Sequence, residues 1–213
     1  MYTKAISDPI WELLRRLNPI PDMTYSYLGG GTALALQLGH RRSEDLDFFV
    51  TEEFNDLSFK QNIQLEKLDT VVVNQTPNHT DMMIQSIKVD FIRERIPLKF
   101  PLKPIHSQTK RINMADSRDI APMKIISIGS RGSKKDFVDL YCLTRKIMTL
   151  ESLIMMAMEE DRGLKYSKLL FLKGLVDFEE AELEGDLAMI WDLGWEEVKG
   201  GLMEDVKKIA KKI

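Results

Sequence analysis

The stretch Tyr27-Leu-Gly-Gly-Gly-Thr-Ala-Leu-Ala-Leu-Gln-Leu-Gly-His-Arg-Arg-Ser-Glu-Asp-Leu-Asp-Phe-Phe-Val50 decides the fold. An apolar, aromatic run enters three glycines, Gly29 to Gly31. A short helical pattern covers Thr32 to Leu38 and closes at Gly39. A loop with Arg41 and Arg42 then leads into Asp45-Leu46-Asp47 on a second apolar run. Glycines let backbone approach phosphate oxygens closely, and the N–H groups at a helix start attract anions. Side chains alternate along a strand, so Asp45 and Asp47 are expected on one face. Two carboxylates side by side repel, and a divalent metal between them supplies the compensating charge. One short unit thus combines a phosphate cradle with a metal mount. Taken singly, a run of glycines is only a turn, and Asp-x-Asp is a solvated strand face. Joined as strand, turn, helix and strand, they are a far more specific signal.

Working outward, the chain of 213 residues has room for one large domain or two small ones. Its 44% apolar content supports a core rather than disorder. A net charge of −3 excludes coating of nucleic acid by bulk charge, but leaves room for a local basic groove. The single Cys142 cannot make an internal disulfide or, alone, a zinc site. It reads as a buried core thiol in a protein of the reducing cytoplasm. No apolar run reaches the length of a membrane span, and Met1 to Asp8 lacks the layout of a signal peptide.

Upstream, Asp8-Pro9 starts a helix whose apolar face is Ile10, Trp11, Leu13, Leu14 and Leu17. A strand is expected from Thr24 to Leu28. Downstream, a helix is predicted over Leu57–Leu68 and a strand over Thr70–Asn74. Met82–Ile87 and Lys88–Ile92 read as extended segments. In the last of these, Val89 and Phe91 share one face, and Asp90 takes the other. Asp90 is either a solvent-facing residue on an edge strand or a third carboxylate beside Asp45 and Asp47. From Lys88 to Lys124 the bases are Lys88, Arg93, Arg95, Lys99, Lys103, Lys110, Arg111, Arg118 and Lys124. The acids are Asp90, Glu94, Asp116 and Asp119. Such an excess is a candidate phosphate or RNA surface, or else a solvated face.

From about Met114 the pattern is helical to the end. Asp119 is expected to cap a helix from Ile120, with Pro122 in its first turn and Lys124 just inside. Gly129 to Gly132 ends it, and Ser133 opens another helix containing Asp136 and Asp139. A lysine aimed at a metal–triphosphate site stabilises the charge on a leaving pyrophosphate, and Arg131 does similar work on other phosphates. Asp136 either orients Lys124 or accepts a proton from an attacking hydroxyl. The alternative is a helix hairpin with ordinary salt bridges. Beyond it, a helix is expected from Leu150 to Glu160, another from Tyr166 to Phe178, and an acidic stretch from Asp177 to Asp192. A tail helix from Trp195 to Ile213 is weakened at Gly200-Gly201.

Gly29-Gly30-Gly31-Thr32-Ala33-Leu34 and His40-Arg41-Arg42-Ser43-Glu44-Asp45-Leu46-Asp47-Phe48-Phe49 make the chain resemble the AbiEii/AbiGii-type nucleotidyltransferase toxins. These are a branch of the DNA polymerase β-like nucleotidyltransferase superfamily. Gly31-Thr32 stands where that superfamily usually has Gly-Ser. Asp119, Lys124 and Asp136 fall on the family's third and fourth motifs. The resemblance implies an α+β fold: a polymerase β-like core with a mixed sheet over residues 1–113, then a mostly helical half, 114–213, that contributes to the active site. It implies transfer of a nucleoside monophosphate from an NTP to a hydroxyl acceptor. Asp45, Asp47 and Asp90 would hold Mg2+. Gly30, Gly31, Thr32, Lys124 and Arg131 would hold the nucleotide, and Asp45, Asp47, Lys124 and Asp136 would carry the catalysis. RNA, at the 3′ end of tRNA, is the implied acceptor, and a cognate antitoxin the implied partner. The alternative is a non-catalytic member of the same fold that binds a nucleotide or a protein.

Overall fold

The computed structural model describes residues 1–93, 98–107, 109–159 and 167–212. The chain divides into two compact units, Met1–Asp116 and Ser117–Ile213.

In the first unit, α1 (Asp8–Leu17) buries Ile10, Leu13, Leu14 and Leu17. That spacing is the apolar stripe of an amphipathic helix. Each such side chain contributes about 1.5–3 kcal/mol when fully buried. Pro21–Tyr25 forms a tight 3-10 turn, as Pro-Asp favours, so the following strand β1 is only Ser26–Leu28. α2 spans Gly30–Leu38 and begins two residues earlier than its apolar pattern suggests. It buries Thr32, Ala33, Leu34, Ala35, Leu36 and Leu38. Being apolar on nearly every side, it lies in the interior. Gly39, at φ 65°, closes it in the left-handed conformation that glycine adopts without strain.

The remaining elements are β2 (Leu46–Val50), α3 (Asp56–Leu65), β3 (Thr70–Gln75), β4 (His79–Ile84), β5 (Ile87–Ile92), β6 (Lys103–Pro104) and β7 (Asn113–Met114). The sheet runs in the order β3-β4-β5-β2-β1-β7-β6. It is mixed: β2 is antiparallel to β1 but parallel to β5, and β1 is parallel to β7. Asn113 and Met114 pair with β1, within the first unit. Leu46, Phe48 and Val50 alternate with Asp47 along β2, and Val89 and Phe91 with Asp90 along β5. The apolar set packs inward: Phe48 stacks on Phe91 at 5.6 Å, and Phe59 meets Phe91 edge-on at 4.6 Å. Gln85 and Ser86, at φ 51° and 63°, form the two-residue turn between β4 and β5. Two positive φ values suit the right-handed twist of a hairpin. The pair lacks the Asn-Gly signature of such turns, which is why Met82–Ile87 read as one extended run.

The second unit is helical among the described residues: α4 (Ser117–Arg131), α5 (Lys134–Lys146), α6 (Leu150–Glu159), α7 (Lys168–Gly174), α8 (Glu179–Glu182) and α9 (Trp195–Ala210). α4 starts three residues before Ile120, so Pro122 falls in its second turn and offers no N–H to the Arg118 carbonyl. Phe137, Phe178 and Trp195 form an aromatic cluster, with Phe137 and Phe178 4.9 Å apart. α9 runs unbroken through Gly200-Gly201. A Cβ at Gly201 would lie 2.4 Å from a Tyr141 ring carbon, so the glycine is where α5 packs closely on α9. The predicted helix ends at Glu160 and Tyr166 lie outside the described residues. No described helix is long and apolar enough to cross a membrane.

Candidate active site

Strand register builds the first constellation. Asp47 of β2 is opposite Asp90 of β5, and Asp90 is opposite Asp81 of β4. Residues opposite one another in a sheet share a face. Three carboxylates therefore stand in a row across three adjacent strands, on the face away from the Phe48–Phe91 core. Asp90 is buried and takes Lys88 Nζ at 3.0 Å on one oxygen, while His79 Nε2 lies 3.2 Å from the other. Contact with the Asp90 carboxylate, then burial, raises Asp81 above its ordinary pKa of 3.8. Lys88 is in turn held above its ordinary value, chiefly by its hydrogen bond to Asp90. A row of carboxylates with this need for positive charge fits a hard divalent cation.

Asp45 precedes β2 rather than lying in it, half-buried at the strand's entrance. A cavity of about 360 Å³ opens beside it, lined by Arg42, Asp45, Met83 and Lys88 among others. The sequence missed His79 and Asp81. Among the described residues, His79, Asp81 and Asp90 are the ones whose metal-binding atoms all lie within 4.8 Å of one another; Asp45 and Asp47 are outside that group. The alternation His79-x-Asp81, on a strand that folds back onto β5, was the signal available.

The glycine turn is shaped around Asp47. Gly30 has φ 58°, and a Cβ there would sit 2.0 Å from Asp47 Oδ2. Only a residue without a side chain admits both the conformation and the carboxylate. Gly29 is similarly close to the Phe49 ring, and its N–H donates to the Asp47 carbonyl at 2.8 Å. The start of α2 and the Asp47 carboxylate are therefore adjacent. Thr32 follows on the first turn of α2. Its side chain is completely buried, and its hydroxyl bonds to the Asp45 carbonyl and, at 2.8 Å, to Ser43 Oγ. A hydroxyl has one hydrogen, so Thr32 donates to the carbonyl and accepts from Ser43. Thr32 braces the loop that delivers Asp45.

The second unit brings Lys124, Arg131 and Asp136 together. Lys124 Nζ lies 2.9 Å from Asp136 Oδ1 and 2.7 Å from Asp139 Oδ2, and all three residues are buried. Arg131 Nε donates to Asp136 Oδ2 at 2.7 Å, and Ser133 Oγ donates to the same oxygen at 2.8 Å. Burial alone would raise the Asp136 pKa, but the charges of Lys124 and Arg131 and their hydrogen bonds outweigh it and hold it below 3.8. A carboxylate with these contacts anchors the Lys124 ammonium group. Part of the basic excess between Lys88 and Lys124 is taken up by ion pairs. Lys88, Arg93, Lys103 and Lys124 pair with Asp90, Asp56, Asp116 and the Asp136–Asp139 pair. Arg95 lies outside the described residues.

A mixed sheet with carboxylates in register, entered through a glycine turn and followed by a helical unit, is a fold this chain shares with solved structures. The crystal structure of JHP933 from Helicobacter pylori is similar with a TM-score of 0.59 and 19% identity, over 97% of this chain and 94% of that one. MenT4, nucleotidyltransferase toxin Rv2826c from Mycobacterium tuberculosis, is similar with a TM-score of 0.56 and 14% identity, over 91% and 82%. An uncharacterised protein of Aquifex aeolicus is 37% identical over 170 residues, 78% of this chain and 81% of that protein. The family described as "Nucleotidyl transferase AbiEii toxin, Type IV TA system" matches residues 12–212, and the chain belongs to it.

Proposed function

We propose that this nucleotidyltransferase moves a nucleoside monophosphate from an NTP to an RNA hydroxyl, with the 3′ end of tRNA as the acceptor, and is restrained by a cognate antitoxin. The observation that carries the chemistry is the Asp47–Asp90 register on neighbouring parallel strands, with Gly30 pressed against the Asp47 carboxylate. Asp45, Asp47 and Asp90 would hold Mg2+, which would supply positive charge against the phosphates. Backbone N–H groups of Gly30 and Gly31 at the start of α2 bind phosphate. Lys124 neutralises the triphosphate. Asp136 and Asp139 flank its ammonium group, and Asp136 sets its direction. Arg131 supplies a second positive group close to the same carboxylate. The acceptor hydroxyl attacks the α-phosphorus, the bond to the bridging oxygen breaks, and pyrophosphate leaves.

The test is incubation with each labelled NTP, Mg2+ and total tRNA. Label appears on RNA with the intact chain and is lost with Asp47→Ala. Nucleotide binding without transfer to RNA, in every NTP and acceptor combination, would overturn the RNA assignment. Label on protein instead would move the acceptor to a protein hydroxyl.

A further inference from the structure

We infer that His79, Asp81 and Asp90 form a binding site for a first-row transition-metal cation, chemically distinct from an all-carboxylate magnesium site. The proposal stands on side-chain geometry and is independent of the assigned reaction.

His79 Nε2 lies 2.7 Å from Asp81 Oδ1 and 3.2 Å from Asp90 Oδ1. Asp81 Oδ1 is buried, and its contact with the imidazole lacks hydrogen-bond geometry. A buried carboxylate oxygen left in that state costs free energy that a coordinated cation removes. The spacing fits such an ion. A cation about 2.0–2.1 Å from each of its tetrahedral donors separates neighbouring donors by about 3.3 Å. The observed separations need only a small opening of the His79–Asp81 pair. His79 and Asp81 alternate on β4, and Asp90 is opposite Asp81 on β5. The backbone ladder thus holds all three donors in place before any ion arrives.

The donor set selects the ion. Magnesium prefers oxygen ligands and retains its water, whereas an imidazole beside carboxylates suits zinc and its neighbours. The His79 side chain is 40% exposed, so an ion has a route in, and open positions remain for water or substrate. Asp90 belongs to this group and to the row with Asp47. The two carboxylate sets therefore share a ligand but differ in their other members.

The experiment is titration of metal-stripped protein with Zn2+, followed by calorimetry, and with Co2+, followed by its visible absorption. The intact chain should take up Zn2+ with an affinity that a large excess of Mg2+ does not abolish. His79→Gln should weaken Zn2+ binding by roughly tenfold or more, since even ligands of the ligands change affinity that much. The half-exposed position of His79 makes loss of the fold a poor explanation, and a matching circular dichroism melt of the metal-free variant checks this. Asp81→Asn should act in the same direction. Asp47→Asn should keep the Zn2+ site while losing nucleotide transfer, which separates failure of this proposal from failure of the assigned reaction. Equal Zn2+ affinity in the intact chain and His79→Gln overturns the proposal. So does a chain that takes up no Zn2+, in which case the three groups are an ion-pair cluster only.

Discussion

Single atoms set the tolerances of both constellations. At Gly30 the positive φ and the neighbouring Asp47 oxygen act together. Gly30→Ala pays about 1–2 kcal/mol for the left-handed backbone and displaces the carboxylate as well. Transfer activity should therefore fall far more than stability does, which parallel rate and urea-unfolding measurements would reveal. Equal losses would mean that the turn matters only for folding. Asp136 makes the opposite case, in which stability moves first. Replacing it with Asn leaves Lys124 and Arg131 with a neutral neighbour. Breaking a buried pair in this way costs about 3–5 kcal/mol. The pH dependence has a definite sign. The folded-state pKa of Asp136 is depressed, so its contribution is fully present above the unfolded value of about 3.9 and is lost as pH falls through the lower folded value. Unfolding measured at pH 7 and near pH 3 should show the gap between intact chain and Asp136→Asn narrowing at the acid end. A gap that is constant with pH would show that the carboxylate's charge is not what stabilises the pair.

At the scale of elements, the legible parts were those where one local pattern decided the outcome. The α1 stripe, the closure of α2 at Gly39 and the alternation in β2 and β5 follow directly from period and from glycine's freedom of φ. Less legible were features settled by a neighbour. The Gln85-Ser86 turn depends on the pairing of β4 with β5, and the start of α4 at Ser117 puts Pro122 where a sequence rule forbids it. Gly200-Gly201 shows how context reverses a propensity argument. Read locally, both glycines weaken α9 equally. In the structure, nothing lies within 4 Å of a Cβ added at Gly200, but one at Gly201 meets Tyr141 at 2.4 Å and Arg145 Nη2 at 2.9 Å. Gly200→Ala should then stabilise the chain by about 0.5–1 kcal/mol, the ordinary gain of alanine over glycine in a helix. Gly201→Ala should destabilise it, because the added carbon separates α5 from α9. Thermal melts of the two variants should move in opposite directions. Movement in the same direction would contradict the packing described for Tyr141.

For the whole molecule, the site was legible in its residue types but not in its partners. Asp47 and Asp90 were both named from the sequence, yet His79 and Asp81 became visible only once β4 was laid against β5. Thr32 was named for its hydroxyl, but burial gives that hydroxyl to the Asp45 loop. Sequence carries donor chemistry; which donor faces a ligand and which faces the chain is fixed by tertiary contacts. The proposed reaction draws on Asp47 and on Lys124, and kinetics test whether they serve the same step. Groups that act as a unit give losses that do not multiply. Asp47→Asn weakens the carboxylate row without changing its shape. Lys124→Arg retains the charge between Asp136 and Asp139 but presents a planar fork in place of a point charge. Each single variant should lower the single-turnover rate of label transfer. If both residues serve one transition state, the double variant should be about as slow as the slower single. Losses that multiply would mean that the two residues act independently, whereas an unchanged rate in Lys124→Arg would return Lys124 to the role of a buried structural pair holding α4 against α5.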